Sequence, residues 1–376
     1  RPPRSTLFPY TTLFRSTYMK ILFLGDIALI GQYSKNDQQT RNRLMYLKKM
    51  ISGADFCVAN LESPFTNVDK TMVCKSVHLK TNVDNVQILT WLGVSAVSLA
   101  NNHLNDYGNV GVRDSIRTLD QANIEWIGIQ NQTVLYSDTY SKVRISAFCC
   151  YSTNAAKYDC KDPRYGVHLL TRENIEKQLE NDKKAGEYSV LILHWGDEHT
   201  NYPKYEHIQL IKHLRDKYDF VVIGHHPHVI QGIECGDKGA VAYSLGNCIF
   251  DNCCSIDHKR NVSLTNENRK SLAVCCEFKQ NKLFKFECYG FFNGENGIEP
   301  YSIEKEMELY SKQISYADQR EVYDKLRKEQ ISYALNTKFG KHDAKWLMDR
   351  LNYYTIGARI QRSLNEKEYK KVQKKF

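Results

Sequence analysis

Seven short apolar runs alternate with helical segments along the first two thirds of the chain. The runs are Ile21–Leu24, Phe56–Ala59, Val94–Leu99, Val143–Phe148, Val190–Leu193, Phe220–Ile223 and Ala240–Tyr243. Short runs of this kind, bounded by turn residues, are typical of buried strands. Segments with helical periodicity lie between them, near 41–52, 84–92, 108–122, 171–185 and 205–217. The alternation predicts an α/β fold whose strands present polar residues at their carboxyl ends.

The last third of the chain departs from this pattern in two ways. Leu272–Phe278 and Leu283–Cys288 are separated by residues 279–282 and predict a β-hairpin, so we expect a mixed sheet. From about Glu304 onward helix formers dominate and glycine nearly vanishes. We therefore predict a main domain over 19–298 and a helical C-terminal extension of three segments over 299–376. Its basic final stretch is interpreted as a solvent-exposed helix end.

The distribution of charge argues against nucleic-acid binding, although the net charge is +9. Residues 17–300 carry no net charge, and the excess lies at the two ends, +3 over 1–16 and +6 over 301–376. No aromatic stacking motif accompanies the basic C-terminal end, so we expect no specific nucleic-acid partner. A hydrophobic content of 42% with 25% charged residues excludes a disordered chain. No apolar stretch approaches the roughly 18 residues that a transmembrane helix needs.

The N-terminal segment does not resemble native protein sequence. Residues 6–16 read TLFPYTTLFRS, which resembles a translated reading frame of a common sequencing-adapter oligonucleotide. We interpret residues 1–18 as an assembly artefact and Met19 as the native start, with a genuine N-terminal arm as the alternative. The apolar run after Met19 is too short for a signal peptide, and the twelve cysteines form no CxxC pair. We expect reduced, mostly buried thiols and a cytoplasmic location, with membrane association only through partners.

Five polar motifs each follow a predicted strand. They are Gly25-Asp26, Asn60-Leu61-Glu62, Asn101-Asn102-His103, His194-Trp195-Gly196-Asp197-Glu198 and Gly224-His225-His226-Pro227-His228. Each motif alone is ambiguous, since an Asp after a strand is commonly a helix cap or turn residue. Together they offer oxygen and imidazole donors at strand ends, where the ligands of α/β folds gather. A donor set without thiolates suits Mn, Fe or Zn.

His226 and His228 are the sharpest local signal in this set. In an extended loop, residues i and i+2 lie on one side, and Pro227 restrains the backbone between them. We therefore expect both imidazoles to face one site. A carboxylate such as Glu62 could bridge two cations about 4 Å apart, the spacing used by two-metal hydrolases. The sequence thus predicts a site for one or two divalent metal ions.

At this point the motifs resemble those of the CapA family of poly-gamma-glutamate capsule synthesis proteins, a branch of the calcineurin-like metallophosphoesterase superfamily. The matching stretches are GD at 25–26, NLESPFT at 60–66, SLANNHLNDYGNVG at 98–111, HWGDE at 194–198, GHHPHVIQG at 224–232 and YSLGNCIFD at 243–251. They occur in the family's order and cover about 20–295, which leaves the C-terminal extension outside. The resemblance implies a four-layer α/β/β/α sandwich with metals at the strand ends.

The resemblance also implies a role for each matching residue. The first metal would be bound by Asp26 and His228, the bridging carboxylate would be Glu62, and the second metal would be bound by Asn102, His194 and His226. His103 would be the general acid or a group that contacts the phosphate.

The chain departs from the wider superfamily at its first motif. Asp26-Ile27-Ala28 stands where the superfamily has Asp-x-His, and Glu62 stands where it usually has Asp. The first metal is therefore short of one imidazole, and Glu198, His199 or His225 could complete it. Glu198, His225 and Asn247 are also candidates for substrate contact. For Asn247, a structural role as a cap beside Gly246 is the alternative.

Two functions stay open. The first is a metal-dependent hydrolase that acts on a phosphoester, or on an amide or ester of a capsule polymer. The second is a non-catalytic polymer-assembly factor that uses the same site to bind an anionic polymer alongside other capsule-synthesis proteins. CapA-type proteins usually carry an N-terminal membrane anchor, and no transmembrane segment is expected in this chain, which places the capsule role in question.

Overall fold

A computed structural model of the protein describes residues 18–139, 141–153, 165–339 and 348–373. Its strands are β1 Met19–Ile27, β2 Phe56–Leu61, β3 Ala96–Ser98, β4 Glu125–Ile127, β5 Val134–Ser137, β6 Lys142–Cys149, β7 Tyr188–His194, β8 Phe220–His225, β9 Ile233–Gly236, β10 Gly239–Ala242, β11 Asn247–Ile249, β12 Cys253–Cys254, β13 Asn261–Val262, β14 Lys270–Lys279, β15 Lys282–Gly294 and β16 Gly297–Pro300. Its helices are α1 Gln38–Arg43, α2 Met45–Ile51, α3 Val86–Leu92, α4 Gly108–Gln121, α5 Arg172–Ala185, α6 Tyr205–Arg215, α7 Asn266–Arg269, α8 Glu304–Ser315, α9 Arg320–Phe339 and α10 Tyr353–Gln373.

The strands form two large mixed sheets. The first has the order β16-β15-β14-β1-β2-β3-β4, with β11 beside β1, and the second has the order β5-β6-β7-β8-β10-β9. Strands β1 to β4 run parallel to one another, as do β6, β7, β8 and β10. The hairpin strand β14 pairs antiparallel with β1. The expectation of a mixed sheet is therefore confirmed.

The two sheets pack face to face with helices on their outer faces. Along β7, Val190 and Ile192 belong to the core that the first sheet shares, whereas Leu191 and Leu193 pack with the buried faces of α5 and α6. Alternate residues of a strand point to opposite faces, so β7 lies between two apolar layers. Helices α2 and α3 cover the outer face of the first sheet. The predicted four-layer α/β/β/α sandwich is confirmed.

Local sequence signals set the element boundaries well where a turn or cap is present. Helix α5 begins after Thr171, whose side chain accepts a hydrogen bond from the Asn174 backbone, and it ends at Gly186 in the left-handed region. The predicted hairpin forms between β14 and β15, with Gln280 and Asn281 both at positive φ. A two-residue loop of this kind matches the twist of the flanking strands. All seven predicted strands are present.

Several short strands carried no usable signal. Strands β4, β5, β9, β11 and β16 have only three or four residues each and were not predicted. Such segments are too short to show a clear alternation of apolar and polar residues. They form strands because they pair with neighbouring strands. Strand β11, for example, pairs with β1 from 221 residues further along the chain, through Asp26 and Asn247.

The three helices of the C-terminal extension pack against the sandwich. Tyr310 and Ile314 of α8 lie against Gly232, where an added Cβ would meet the Tyr310 carbonyl oxygen at 2.4 Å. Tyr323 of α9 is fully buried and its hydroxyl donates to the Pro203 carbonyl at 2.8 Å. The described part of the extension contains three helices, as predicted, and α8 and α9 pack closely on the main domain. The division of the chain into these two domains stays a prediction. Residues 1–18 were interpreted as an assembly artefact. Of these, only Tyr18 belongs to the described residues.

Two further expectations concern thiols and membranes. Of the eleven cysteines in the described ranges, five are buried. Fewer thiols are thus fully buried than the sequence suggested, and their reduced state stays a prediction. None of the helices in the described part of the chain combines the length and the apolar character that a membrane crossing needs.

We predict that replacing Tyr323 by Ala destabilises the protein by about 3 kcal/mol, because the substitution empties a buried site and removes a hydrogen bond. The matched control is Tyr333→Ala in the same helix, where the side chain is 74% exposed. That change should cost less than about 0.5 kcal/mol. Urea unfolding followed by tryptophan fluorescence measures both. Equal, small effects would show that α9 does not pack on the main domain.

Candidate metal centre

The site lies where parallel strands of both sheets end side by side. Asp26 lies near the end of β1, Glu62 follows β2, and Asn102 and His103 follow β3. His194 is the last residue of β7, and His225 is the last residue of β8. The parallel pairing within each sheet brings these ends to one edge, and the sandwich brings the two edges together.

The first group of candidate ligands is Asp26, Glu62 and His194, all fully buried. One ligand atom of each lies within 4.8 Å of the others. Asn60 holds the two carboxylates, since its Nδ2 donates to Asp26 Oδ1 at 2.8 Å and to Glu62 Oε1 at 3.4 Å. Asn102 Oδ1 lies 3.0 Å from His194 Nε2, which adds the predicted amide ligand to the group.

The second group is Glu198, His226 and His228, whose ligand atoms also lie within 4.8 Å of one another. It adjoins the first group through His228, whose Nδ1 is 3.5 Å from Asp26 Oδ2 and whose Nε2 is 3.9 Å from Glu62 Oε2. Glu62 therefore lies between the groups, as expected of a carboxylate that could bridge two cations.

The backbone of the histidine loop differs from the predicted extended conformation. His226 has φ of 97° and His228 has φ of 57°, both in the left-handed region that non-glycine residues rarely adopt. The imidazoles do converge on one site, but left-handed backbone, not an extended i to i+2 arrangement, turns them there. Strain of this type costs roughly 1–3 kcal/mol per residue and clusters at functional sites.

Two neighbours hold the loop and its imidazoles. Asn247 is buried and its Oδ1 lies 2.8 Å from His228 Nδ1, which leaves Nε2 of that ring toward Glu62. Asn268 donates from Nδ2 to the His228 carbonyl at 2.9 Å. Groups of this kind fix the orientation of a ligand imidazole from behind. Asn247 thus has a structural contact with His228, and it also borders the cleft.

His225 stands nearest to Asp26 among the three residues that could replace the missing histidine of the first motif. Its Nδ1 lies 2.9 Å from Asp26 Oδ1, and the ring is buried behind that carboxylate. Glu198 lies instead beside His226 and His228, and His199 lies 3.5 Å from Glu198. Glu198 and Asn247 border the cleft, whereas His225 does not. A contact of any of the three with substrate stays a prediction.

His103 is held by a buried ion pair that the sequence did not reveal. Its Nδ1 lies 2.7 Å from Asp106 Oδ2, and Lys75 Nζ donates to Asp106 Oδ1 at 2.6 Å and to the Asn102 carbonyl at 2.7 Å. Burial opposes ionisation of Asp106, but Lys75 and His103 outweigh it and lower the pKa of that carboxyl to about 2. No sequence motif surrounds Lys75, so its position beside Asp106 could be seen only in the structure.

The electrostatics of the carboxylates favour binding of a cation. Burial and the neighbouring Asp26 raise the pKa of Glu62 well above its usual range. Burial acts the same way on Asp26, but contacts with His225 and His228 outweigh it and lower the pKa of Asp26. Two buried carboxylates at this distance do not both ionise readily without a positive charge between them.

His194 and His226 are suited to ligation because their burial favours the neutral imidazole. Burial and the charges of neighbouring imidazoles lower the pKa of His194 well below its usual value. Burial lowers the pKa of His226 to about 4, with Glu198 opposing. Within the described chain, Glu62 Oε2 and His226 Nδ1 are buried without a hydrogen-bond partner. Orphaned buried atoms of this type call for an ion or a water, so the residues fit a divalent metal of the Mn, Fe or Zn class.

A cleft of about 420 Å³ opens onto this centre. Its inner wall consists of Asn102, His103, Glu198, His199, His228 and Asn247. The cleft gives a ligand direct access to His103 and to the second group of candidate ligands.

Comparison with known proteins finds relatives among capsule synthesis proteins. A family model described as bacterial capsule synthesis protein PGA_cap matches residues 20–252. The PGA biosynthesis protein CapA of Bacillus subtilis (strain 168) is 26% identical over 252 residues, which make up 65% of this chain and 66% of that protein. The capsule biosynthesis protein CapA of Bacillus anthracis is 26% identical over 248 residues, 62% of this chain and 60% of that protein. The match thus spans about two thirds or less of these relatives' lengths.

Solved structures similar to this one include hydrolases. The calcineurin-like phosphoesterase YfkN of Bacillus subtilis has a TM-score of 0.40 and 10% identity, with 84% of this chain and 98% of that chain covered. A 5'-nucleotidase of Candida albicans SC5314 has a TM-score of 0.42 and 10% identity, with 95% and 59% covered. Likenesses at this level carry no information on activity.

We predict that Lys75→Met destabilises the protein by about 3 kcal/mol at pH 7, because it leaves the Asp106 charge buried beside His103 alone. The ionised form of Asp106 contributes stability that is complete above about pH 4 and is lost as the pH falls toward 2. Without Lys75 the pKa of Asp106 rises, so that loss begins at a higher pH.

Urea unfolding at pH 7 and pH 4 tests this expectation. Lys80→Met is the matched control, since Lys80 pairs at 2.8 Å with the exposed Asp69. A pair whose carboxylate is exposed to solvent in this way contributes less than about 1 kcal/mol. Similar midpoints for the two variants would contradict the buried-pair assignment.

Proposed function

The chain belongs to the bacterial capsule synthesis protein PGA_cap family, and from that premise we propose that it is a metal-dependent hydrolase of capsule or related surface-polymer biosynthesis. One observation carries the proposal: two groups of oxygen and imidazole donors adjoin each other around Glu62, and Glu198 and His228 of the second group border a cleft. A structural metal site has no need of access to a cleft, whereas a catalytic site does.

The proposed ligands are divided between two metal ions. Asp26 and His228 would hold the first ion, Asn102, His194 and His226 the second, and Glu62 would bridge them. In the structure His194 also lies near Asp26 and Glu62, and His228 also lies near Glu198 and His226. The assignment of each imidazole to one ion is therefore part of the proposal. When bound, such a pair of ions polarises a phosphoryl or acyl oxygen and supplies a hydroxide near neutral pH.

His103 would act on the leaving group. Asp106 engages its Nδ1, so Nε2 is the ring nitrogen that would give a proton to the departing oxygen. Lys75 holds Asp106 in place, which fixes the plane and tilt of the ring. In this role His103 is a catalytic residue, whereas Asp106 and Lys75 are positioning residues. The candidate substrates are a phosphoester or an amide or ester of an anionic polymer.

One observation favours a second candidate function, a polymer-assembly factor without catalysis. The first motif has Ala28 in place of the superfamily's histidine, and His225 engages one oxygen of Asp26. A first metal bound by fewer groups would serve as an anchor for an anionic polymer more readily than as a catalyst. In that case other capsule-synthesis proteins would supply the chemistry, and a cytoplasmic location stays a prediction in both cases.

Metal content is the first test. We expect Glu62→Ala and His226→Ala to lose most of their bound Mn, Fe or Zn while staying folded, because each removes a ligand from the centre. Mass spectrometry after chelator-free purification measures the metal, and circular dichroism checks the fold. Glu176→Gln and His213→Ala, which change a partly exposed pair away from the centre, are the matched controls. Full occupancy in both site variants would refute the assignment.

Leaving-group dependence tests the role of His103. We expect His103→Ala, with its metal retained, to slow cleavage of an alkyl phosphodiester by about 100-fold, the typical contribution of a general acid. Cleavage of bis-p-nitrophenyl phosphate should slow much less, since its leaving group departs without a proton. Equal losses on both substrates would assign His103 to phosphate contact. No hydrolysis by the fully metal-loaded protein would favour the assembly factor.

A further inference from the structure

The outer wall of the cleft comes from the C-terminal extension, which lies beyond the family match. The extension contributes one residue of α9, one of the segment before α10 and four of α10, namely Leu335, Arg350, Thr355, Ala358, Arg359 and Arg362. The four α10 residues follow a spacing of three and four, which places them on one face of the helix. That face and Arg260 from the main domain line the same cleft as the candidate ligands Glu198 and His228.

Four guanidinium groups therefore border this part of the cleft. Burial, followed by the charges of Arg260 and Arg359, lowers the pKa of Arg350, with Asp349 opposing. Like charges lie close enough to repel one another, an arrangement that an anion stabilises. Arg260 donates from Nη2 to the Ser76 carbonyl at 2.8 Å, while its Nε is buried with no hydrogen-bond partner among the described residues.

The two carboxylates that border the cleft, Asp251 and Glu198, have other partners among the described residues, and Asp257 lies near Arg260 outside the lining of the cleft. Asp251 accepts hydrogen bonds from the backbone of Gln32 and Asn252, both at 2.7 Å. Glu198 lies with the candidate metal ligands His226 and His228. Arg362 has a neighbour of opposite charge in Glu366, at 3.4 Å on the exposed side of α10.

Helix α10 is fixed against the main domain, so its arginines have a set position. Gly357 lies so close to Cys74 that an added Cβ would meet its Sγ at 2.4 Å. The Tyr354 hydroxyl donates to the Thr71 carbonyl at 2.9 Å, and Thr355 and Ala358 are buried. Residues 355–362 of α10 thus turn one face into the cleft, whereas the basic stretch that was predicted to be a solvent-exposed helix end begins only at Glu366.

We propose that Arg260, Arg350, Arg359 and Arg362 form a second anion-binding subsite, which holds one anionic group of a polyanion while another lies at the candidate metal centre. Guanidinium groups pair in a bidentate manner with carboxylates and phosphates, so both chemistries fit the wall. The inference rests on the proposed function in that both use one cleft. It adds the substrate class: a molecule with at least two anionic groups.

Binding of a labelled polyanion tests the proposal on the full chain. The probe is fluorescein-labelled hexa-γ-glutamate, followed by fluorescence anisotropy at low salt, with tripolyphosphate as competitor to separate carboxylate from phosphate preference. We expect Arg350→Gln/Arg359→Gln to weaken binding at least about tenfold, because two charge-assisted pairs are lost. Lys367→Gln/Lys370→Gln, which removes the same charge from α10 outside the cleft, should change binding less than about twofold.

Three results would overturn the inference: unchanged binding by the arginine variant, equal weakening by both variants, or no binding of either probe by the wild-type protein. Arg359→Gln alone keeps the test decisive if the double variant unfolds, since Arg359 is exposed. Repeating the titration after metal removal separates this inference from the proposed function. If the protein never holds metal but its binding depends on the arginines, the anion-binding subsite is supported and the proposed metal-dependent hydrolase is refuted. If the protein retains metal but its binding does not depend on the arginines, the subsite is refuted and the proposed hydrolase is not.

Discussion

Two carboxylates, Asp26 and Glu62, lie fully buried side by side where the two sheets bring their strand ends together. Burial of two like charges at this distance is unfavourable unless hydrogen bonds or a cation compensate for the lost water. The surrounding residues supply much of that compensation. Asn60 donates to both carboxylates, and His225 contacts Oδ1 of Asp26, the oxygen that also accepts from Asn60. Glu62 keeps one oxygen without a partner in the described chain, which is the atom that a cation would satisfy.

The same constraint explains the strained loop after β8. Bringing His226 and His228 to the carboxylates requires left-handed backbone at both residues. Contacts from elements distant in the chain offset that cost. The side chain of Asn247 in β11 contacts the His228 ring. Asn268 of α7 donates a hydrogen bond to the His228 backbone carbonyl. Strand β11 and helix α7 are both very short, and each places one asparagine beside the loop.

Features that leave a local pattern in the sequence could be predicted, whereas features that depend on contacts between distant residues could not. Apolar runs of strand length and the polar motifs after them identified the central strands and the donors Asp26, Glu62 and His194. Short strands such as β11 were missed because three residues carry no period. Lys75 was missed because its importance comes from Asp106, 31 residues away in sequence, and no motif joins them. The loop was predicted as extended because positive φ at histidine has no signature in the sequence.

Net charge shows how a property summed along a chain can mislead about a surface. The body of the chain is neutral and the C-terminal extension carries +6, which suggests a neutral site and a basic tail. Recognition depends instead on which charges lie within a few ångströms of a ligand, since exposed charges beyond about 10 Å are screened. Docking of α10 places Arg359 on the cleft beside Arg260, which belongs to the neutral body. The extension thereby adds positive charge to a cleft that also borders the candidate metal centre.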